Sequence, residues 1–224
     1  MRVFAGAAAP AEIAAPDAAP AHAAVTASWS GRDAWGGARE TVAVPVGSRV
    51  FHLSPAVAVP PSGDRLALLL DLIAAEEGPM GYDAVQHQAT VPPPKPPTQM
   101  TVAEVFAWIG DTPGQQHAIG RYQIIPATLV RLVDVLGVPH GARFDPALQD
   151  RMGAYLARQA GYDAFASGEM EAEVFMDRLA GVWAALPDRS GKSVYHGIAG
   201  NRATLSRAEY RRRMAALFPD LVRL

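Results

Sequence analysis

Two adjacent carboxylates, Glu76 and Glu77, close the most apolar helical pattern of the chain, in the stretch DLIAAEEGPMGYD (71–83). Three effects act in the same direction on a carboxyl placed there. A helix C-terminus carries about half a negative charge, the second glutamate adds another charge, and apolar surroundings disfavour the ionised form. Each raises the pKa, as a general acid working near neutral pH requires. The plain alternative is an acidic pair capping the wet end of a core helix, which is the commoner role of such residues. A second stretch, QQHAIGRYQIIPATL (115–129), sets Gly120, Arg121, Tyr122 and Gln123 in a short polar segment ahead of an apolar helix. It reads either as a loop feeding that helix or as the wall of a cleft. A wall would use the glycine for close backbone approach, the aromatic for a sugar-like ring and the amide for hydroxyl or acetamido groups.

The elements that must hold these residues are helical. From Asp64, a predicted N-cap, RLALLLDLIAAEE has apolar residues all round its axis, as a buried central helix would. TQMTVAEVFAWI opens with the capping box Thr101-x-x-Glu104. PATLVRLVDVLG ends at Gly137, and DPALQDRMGAYLARQAG begins with Asp145 as cap and Pro146 in first position and stops at Gly161. A further amphipathic helix is predicted over about 169–185, and SRAEYRRRMAAL carries a second capping box, Ser206-x-x-Glu209, ahead of Pro219. VPPPKPPTQ (91–99) is a proline-stiffened loop. Ahead of all this, residues 1–24 form an Ala/Pro-rich tether, and residues 25–60 a small β-containing segment with a predicted hairpin and a linker. The expected architecture is therefore mostly α, a compact multi-helix domain over 61–224 preceded by an extended or hairpin segment.

Composition narrows the chemistry. The 224 residues carry a formal net charge of -2, which argues against nucleic acid as a partner. With no cysteine, thiol nucleophiles, disulfides and Cys-ligated zinc are excluded. His22, His52, His87, His117, His140 and His196 are scattered without ligand spacing, so neither a metal nor another cofactor is expected. His117 reads as a surface-loop histidine ahead of a cleft-lining one beside the GRYQ segment, Trp108 and Trp183 as core residues on helix faces ahead of carbohydrate platforms, and Arg207, Arg211, Arg212 and Arg213 as a solvated helix face that could also attract an anionic polymer. Trp29 and Trp35, in a Gly/Ser-rich stretch, could contact a glycan or a protein. No run reaches the roughly 18 apolar residues that span a bilayer. Prolines and acidic residues interrupt any signal-peptide core near the N-terminus.

Taken together and in order, several of these stretches carry a resemblance. LLDLIAAEEG, GYD (81–83), AIGRYQIIPATL, FDPALQDRMGAYL, DRLAGVWAALP (177–187) and GKSVYHGIAGN (191–201) are similar to successive segments of the lysozyme-like lytic transglycosylases, above all the lambda-phage type of endolysin and its bacterial relatives. About two thirds of the chain is covered, while residues 1–60, the proline-rich loop and the TVAEVFAWI helix depart from that pattern. The resemblance implies an α+β lysozyme-like catalytic domain with a cleft. It also implies cleavage of the MurNAc-GlcNAc β-1,4 bond of peptidoglycan, with the catalytic glutamate on Glu77 and not Glu76. Tyr82, Gly120, Arg121, Tyr122, Gln123, Tyr195 and Asn201 would then contact the glycan. A lytic transglycosylase uses one glutamate as acid and then as base, closing a 1,6-anhydro ring. A hydrolytic muramidase would add a second carboxylate, for which Asp83, Glu104 and Asp111 are the nearest in sequence, Asp83 foremost. A third reading is a non-catalytic glycan-binding or assembly module of a phage-like particle or envelope machine, attached to a protein partner through residues 1–60. The expected place of action is the periplasm, the cell envelope or a phage-like particle working on the cell wall.

Overall fold

The computed structural model describes residues 63–223, residue 199 excepted. The expected tether and hairpin of residues 1–60 lie outside the described residues. Among the described residues there are seven α-helices, α1 (Gly63–Glu77), α2 (Val102–Asp111), α3 (Pro126–Val135), α4 (Pro146–Gln159), α5 (Tyr162–Ala166), α6 (Ala172–Ala180) and α7 (Arg207–Leu217), with short 3-10 helices at Gly81–Asp83 and Pro97–Gln99. Among the described residues there is no extended strand. Three isolated antiparallel bridges, Val85–Ile119, Ile119–Ile124 and Thr101–Arg143, are the β content. The molecule described is thus mostly α.

The central helix is α1, and its apolar residues surround the axis because it is packed on several sides. Leu69 and Ile73 are fully buried, Leu66, Leu70 and Leu72 nearly so, and the helix contacts both α4 and α7. Asp64 stands inside the first turn, whereas the sequence pattern placed it outside as the cap. The other starts obey the chemistry of their caps. Thr101 Oγ1 accepts the Glu104 N–H while Glu104 accepts the Thr101 N–H, so both halves of the capping box form. Asp145 caps α4 through the Leu148 N–H with Pro146 in the first turn. Ser206 caps α7 through the Glu209 N–H. Glu209 itself turns to Arg212 and Arg213.

Three differences from the sequence reading shape the surroundings of Glu77. The helix predicted over 169–185 ends at Ala180, where Gly181 takes the C-cap and the chain turns away. A short helix, α5, comes directly after α4, and its Phe165 stacks on Phe175 of α6 and meets Phe218 edge-on beyond α7. The arginines of α7 are not simply a solvated face. Arg207 pairs with Glu173 and Asp177 of α6, Arg211 with Glu173, and Arg213 with Glu76 at the end of α1. They clamp α7 to its neighbours, and the last of them reaches the glutamate pair.

Candidate active site

The two glutamates part at the end of α1. Glu76 is consumed by structure: Oε1 takes Arg213 Nη1 at 2.8 Å and Oε2 takes the Thr204 hydroxyl at 2.5 Å. Glu77 has a single hydrogen-bond partner among the described residues, the Ala185 N–H, which donates to Oε1 at 2.6 Å. The Ala185 peptide is fixed from its other side, since its carbonyl accepts the Thr204 N–H at 2.9 Å and the Thr204 hydroxyl at 3.2 Å. Glu76, Thr204, Ala185 and Glu77 therefore form one closed chain of contacts that sets the Glu77 carboxyl in place. That chain exists because α6 stops at Ala180. Continued helix would have spent the Ala185 N–H on its own backbone.

Burial raises the Glu77 pKa from the usual 4.5 to about 7, with the Glu76 charge adding to it and the Ala185 N–H opposing it. Because that N–H occupies Oε1 as an acceptor, the acid's proton resides on Oε2. At near-neutral pH the group is a half-buried carboxylic acid ready to give up its proton.

Glu77 opens on a cleft of about 860 Å³, well within the range of small-molecule sites. Of the residues expected from the sequence, Tyr122, Gln123, Tyr195 and Asn201 line this cleft with it. Tyr195 anchors its hydroxyl on the Gly181 carbonyl at 2.5 Å, and Asn201 its amide on the Ile198 carbonyl at 2.8 Å. Gln123 sits at φ 44, a left-handed backbone rare for its type, and its amide donates to the Gly120 carbonyl at 2.9 Å. Such local strain persists only where surrounding contacts enforce it, and it gathers at functional sites. Here the enforcing contacts are the paired bonds between Ile119 and Ile124 on either side of the turn. Tyr122 is only 2% exposed, its ring lying against Gly153, where a Cβ would stand 2.9 Å from it. It therefore forms a wall of the cleft and not a free platform.

Gly120, Arg121, Tyr82 and Asp83 do not line the cleft. Gly120 carries φ +77, and a side chain there would meet Gln149 at 2.4 Å. Arg121 is the hub of a second polar cluster behind the site. Its guanidinium donates to the Tyr82 hydroxyl at 2.8 Å, approaches Asp150 at 3.4 Å and pairs with Asp71. Tyr82 and Tyr122 both donate to Asp150, and Gln149 accepts the Arg121 N–H at 2.9 Å while its amide donates to the Tyr82 and Phe144 carbonyls. Gly78 belongs to this seam, since a Cβ there would lie 2.4 Å from the Arg121 carbonyl oxygen. Asp83 accepts the Thr98 N–H at 2.8 Å and pins the proline-rich loop. Glu104 is held down to about 2, chiefly by Lys95 at 2.8 Å, and neither it nor Asp111 lines the cleft.

Other lining residues are not among the glycan contacts expected from the sequence: Gln86, Gln116, Gln159, Arg131, Arg178 and Trp183. They come from five separated segments and converge only in the fold. Trp183 is core-like, 2% exposed, yet it sits in the turn after α6 and not on a helix face. His117, expected on the surface, is buried against Trp108 and hydrogen-bonded to Thr112 at 2.8 Å, and burial lowers its pKa. In chemical terms the cleft offers one protonatable carboxyl, five carboxamides, the imidazole of His87, two tyrosines and two guanidinium groups. No family model, curated protein or solved structure matches this chain.

Proposed function

We propose that this chain is a peptidoglycan-cleaving enzyme of the lysozyme-like lytic transglycosylase type, acting on the MurNAc-GlcNAc β-1,4 bond. The observation that carries the reading is the solitude of Glu77: among the described residues lining the cleft it is the single carboxylate, and its proton is held to about pH 7. Hydrolytic glycosidases place a second carboxyl roughly 5 to 10 Å from the acid, as nucleophile or as base for water. Here Asp83, Glu104 and Asp111 are all outside the lining, and the first two are held by Thr98 and by Lys95 with Thr101. On this reading one carboxyl does both proton transfers.

The steps balance without water. Glu77 Oε2–H protonates the glycosidic oxygen, the C1–O bond breaks, and the GlcNAc side leaves as an alcohol. The developing oxocarbenium ion at C1 is met by the C6 hydroxyl of the same muramyl ring. Glu77, now a carboxylate, takes that hydroxyl's proton as the 1,6-anhydro bond forms, and is returned to its starting state. The Ala185 N–H shifts from a weak partner of the acid to a charge-assisted partner of the carboxylate, steadying the intermediate stage. The amides of Gln123 and Asn201, with Tyr195 and the Tyr122 wall, are suited to hydroxyl and acetamido groups of the sugars. On this reading the place of action is the cell wall, reached from the periplasm or from a phage-like particle.

The test is the pH dependence of clearing of a purified cell-wall suspension. The acid must be protonated, so kcat/KM should stay level below about 7 and fall with unit slope above it. A rate that rises through that range would show Glu77 acting first as a base and would sink the reading.

A further inference from the structure

Two of the cationic groups in the cleft have no acidic partner among the described residues. Arg131 of α3 spends one hydrogen bond on Gln159, at 3.0 Å. Arg178 of α6 makes no hydrogen bond or ion pair among the described residues, and its Nη1 lies 3.4 Å from where a side chain on Gly161 would begin. Both therefore flank the same short segment, 159–161, at the end of α4, with their exposed guanidinium groups lining the cleft. By contrast, Arg207, Arg211, Arg212 and Arg213 of α7 are all ion-paired. Apart from the Gln159 contact, the two guanidinium groups leave their fixed, forked donors unspent among the described residues.

We propose that Arg131 and Arg178 form an anionic subsite that takes a carboxylate of the peptide stem carried by the muramyl residue. This rests on the reading of the cleft as a peptidoglycan site and names what that site selects. In an intact strand the lactyl carboxyl is already tied up as an amide to the stem, so the carboxylates available lie along the peptide. Two planar guanidinium groups on one rim match such a group in shape and charge. The subsite would make the enzyme prefer stem-bearing strands and would anchor the substrate to one side of Glu77.

The experiment measures KM on purified, uncross-linked peptidoglycan strands in two forms, native and with the stem carboxylates converted to amides by carbodiimide and ammonia. For the wild-type chain KM should rise about tenfold on the amidated strands, the size expected for two charge-assisted contacts at an exposed site. In the Arg131→Gln/Arg178→Gln double variant that ratio should collapse to about one. An equal KM on both forms in the wild type, or a double variant that keeps the tenfold ratio, overturns the inference while leaving the assignment of Glu77 intact. The wild-type ratio decides even if the double variant folds poorly. A wild-type chain that cleaves neither form removes the reading of the cleft, and the subsite falls with it.

Discussion

Two polar clusters flank the end of α1, and they differ in what is left over. Behind the helix, Arg121, Tyr82, Tyr122, Asp150, Asp71 and Gln149 satisfy one another. In front of it, Glu77 has one backbone donor, and the carboxamides and guanidinium groups of the cleft keep unspent hydrogen-bonding capacity. The first arrangement holds elements in register and the second waits for a ligand. Residue type alone does not distinguish them, because both are built from the same tyrosines, arginines and amides. Spare hydrogen-bonding capacity facing open space is what separates a site from a joint.

Substitutions can break that contrast. The largest effect should come from Glu77→Gln, which keeps the Ala185 N–H partner and removes the proton donor. Cleavage should drop by about a thousandfold or more, read as the initial rate on cell walls. The same variant should gain stability at alkaline pH. A carboxyl whose folded pKa is raised from 4.5 to about 7 contributes stability that is complete below 4.5 and is lost as pH rises through about 7. At pH 8 the glutamine variant should therefore be more stable than wild type by about 1–3 kcal/mol in denaturant titrations, and the gap should close at pH 4. Next, Gly78→Ala forces a Cβ against the Arg121 carbonyl. It should destabilise the fold by about 1–3 kcal/mol, seen as a lower Tm.

Removing Asp150 by Asp150→Leu leaves the buried Tyr122 hydroxyl without its acceptor. It should destabilise by about 1–2 kcal/mol, with kcat near wild type wherever the protein remains folded. A loss of kcat without loss of Tm would move this cluster into the chemistry and erase the contrast. Thr204→Val unhooks the Ala185 peptide from Glu76. With the opposing N–H loosened, the Glu77 pKa should climb, so the alkaline limb of the rate profile moves upward while kcat falls about threefold and KM holds. Smallest of all, Asp83→Asn should leave the rate unchanged, because Asp83 faces the Thr98 amide and not the cleft.

Much of the fold is legible in the residues themselves. The caps at Thr101, Asp145 and Ser206 are local chemistry, and each opens a helix where the residues say it should. The burial of α1, Trp108 and Trp183 follows from hydropathy. What escapes a reading of the sequence is what depends on distant partners. The early end of α6 at Gly181 is weakly marked in a sequence that stays apolar to Leu186, yet it frees the N–H that holds Glu77. Tyr82 and Arg121 share the residue types of a binding site, and only their mutual contacts reveal a joint. Arg131, Gln159 and Arg178 come from three helices or their ends, and no spacing links them. Glu76 and Glu77 are equal by composition, and it is Arg213 and Thr204, more than a hundred residues away, that tell them apart.

Whether one carboxyl, Glu77, gives and then retakes the proton is decided by the chemistry of the ends it leaves. Purified peptidoglycan is digested with the wild-type chain and with Glu77→Gln, and the released fragments are weighed by mass spectrometry. The wild type should release 1,6-anhydromuramyl ends, lighter by one water than the hydrolytic product, and the variant none. Reducing muramyl ends from the wild type, or fragments of any kind at full rate from Glu77→Gln, would contradict the single-carboxyl mechanism.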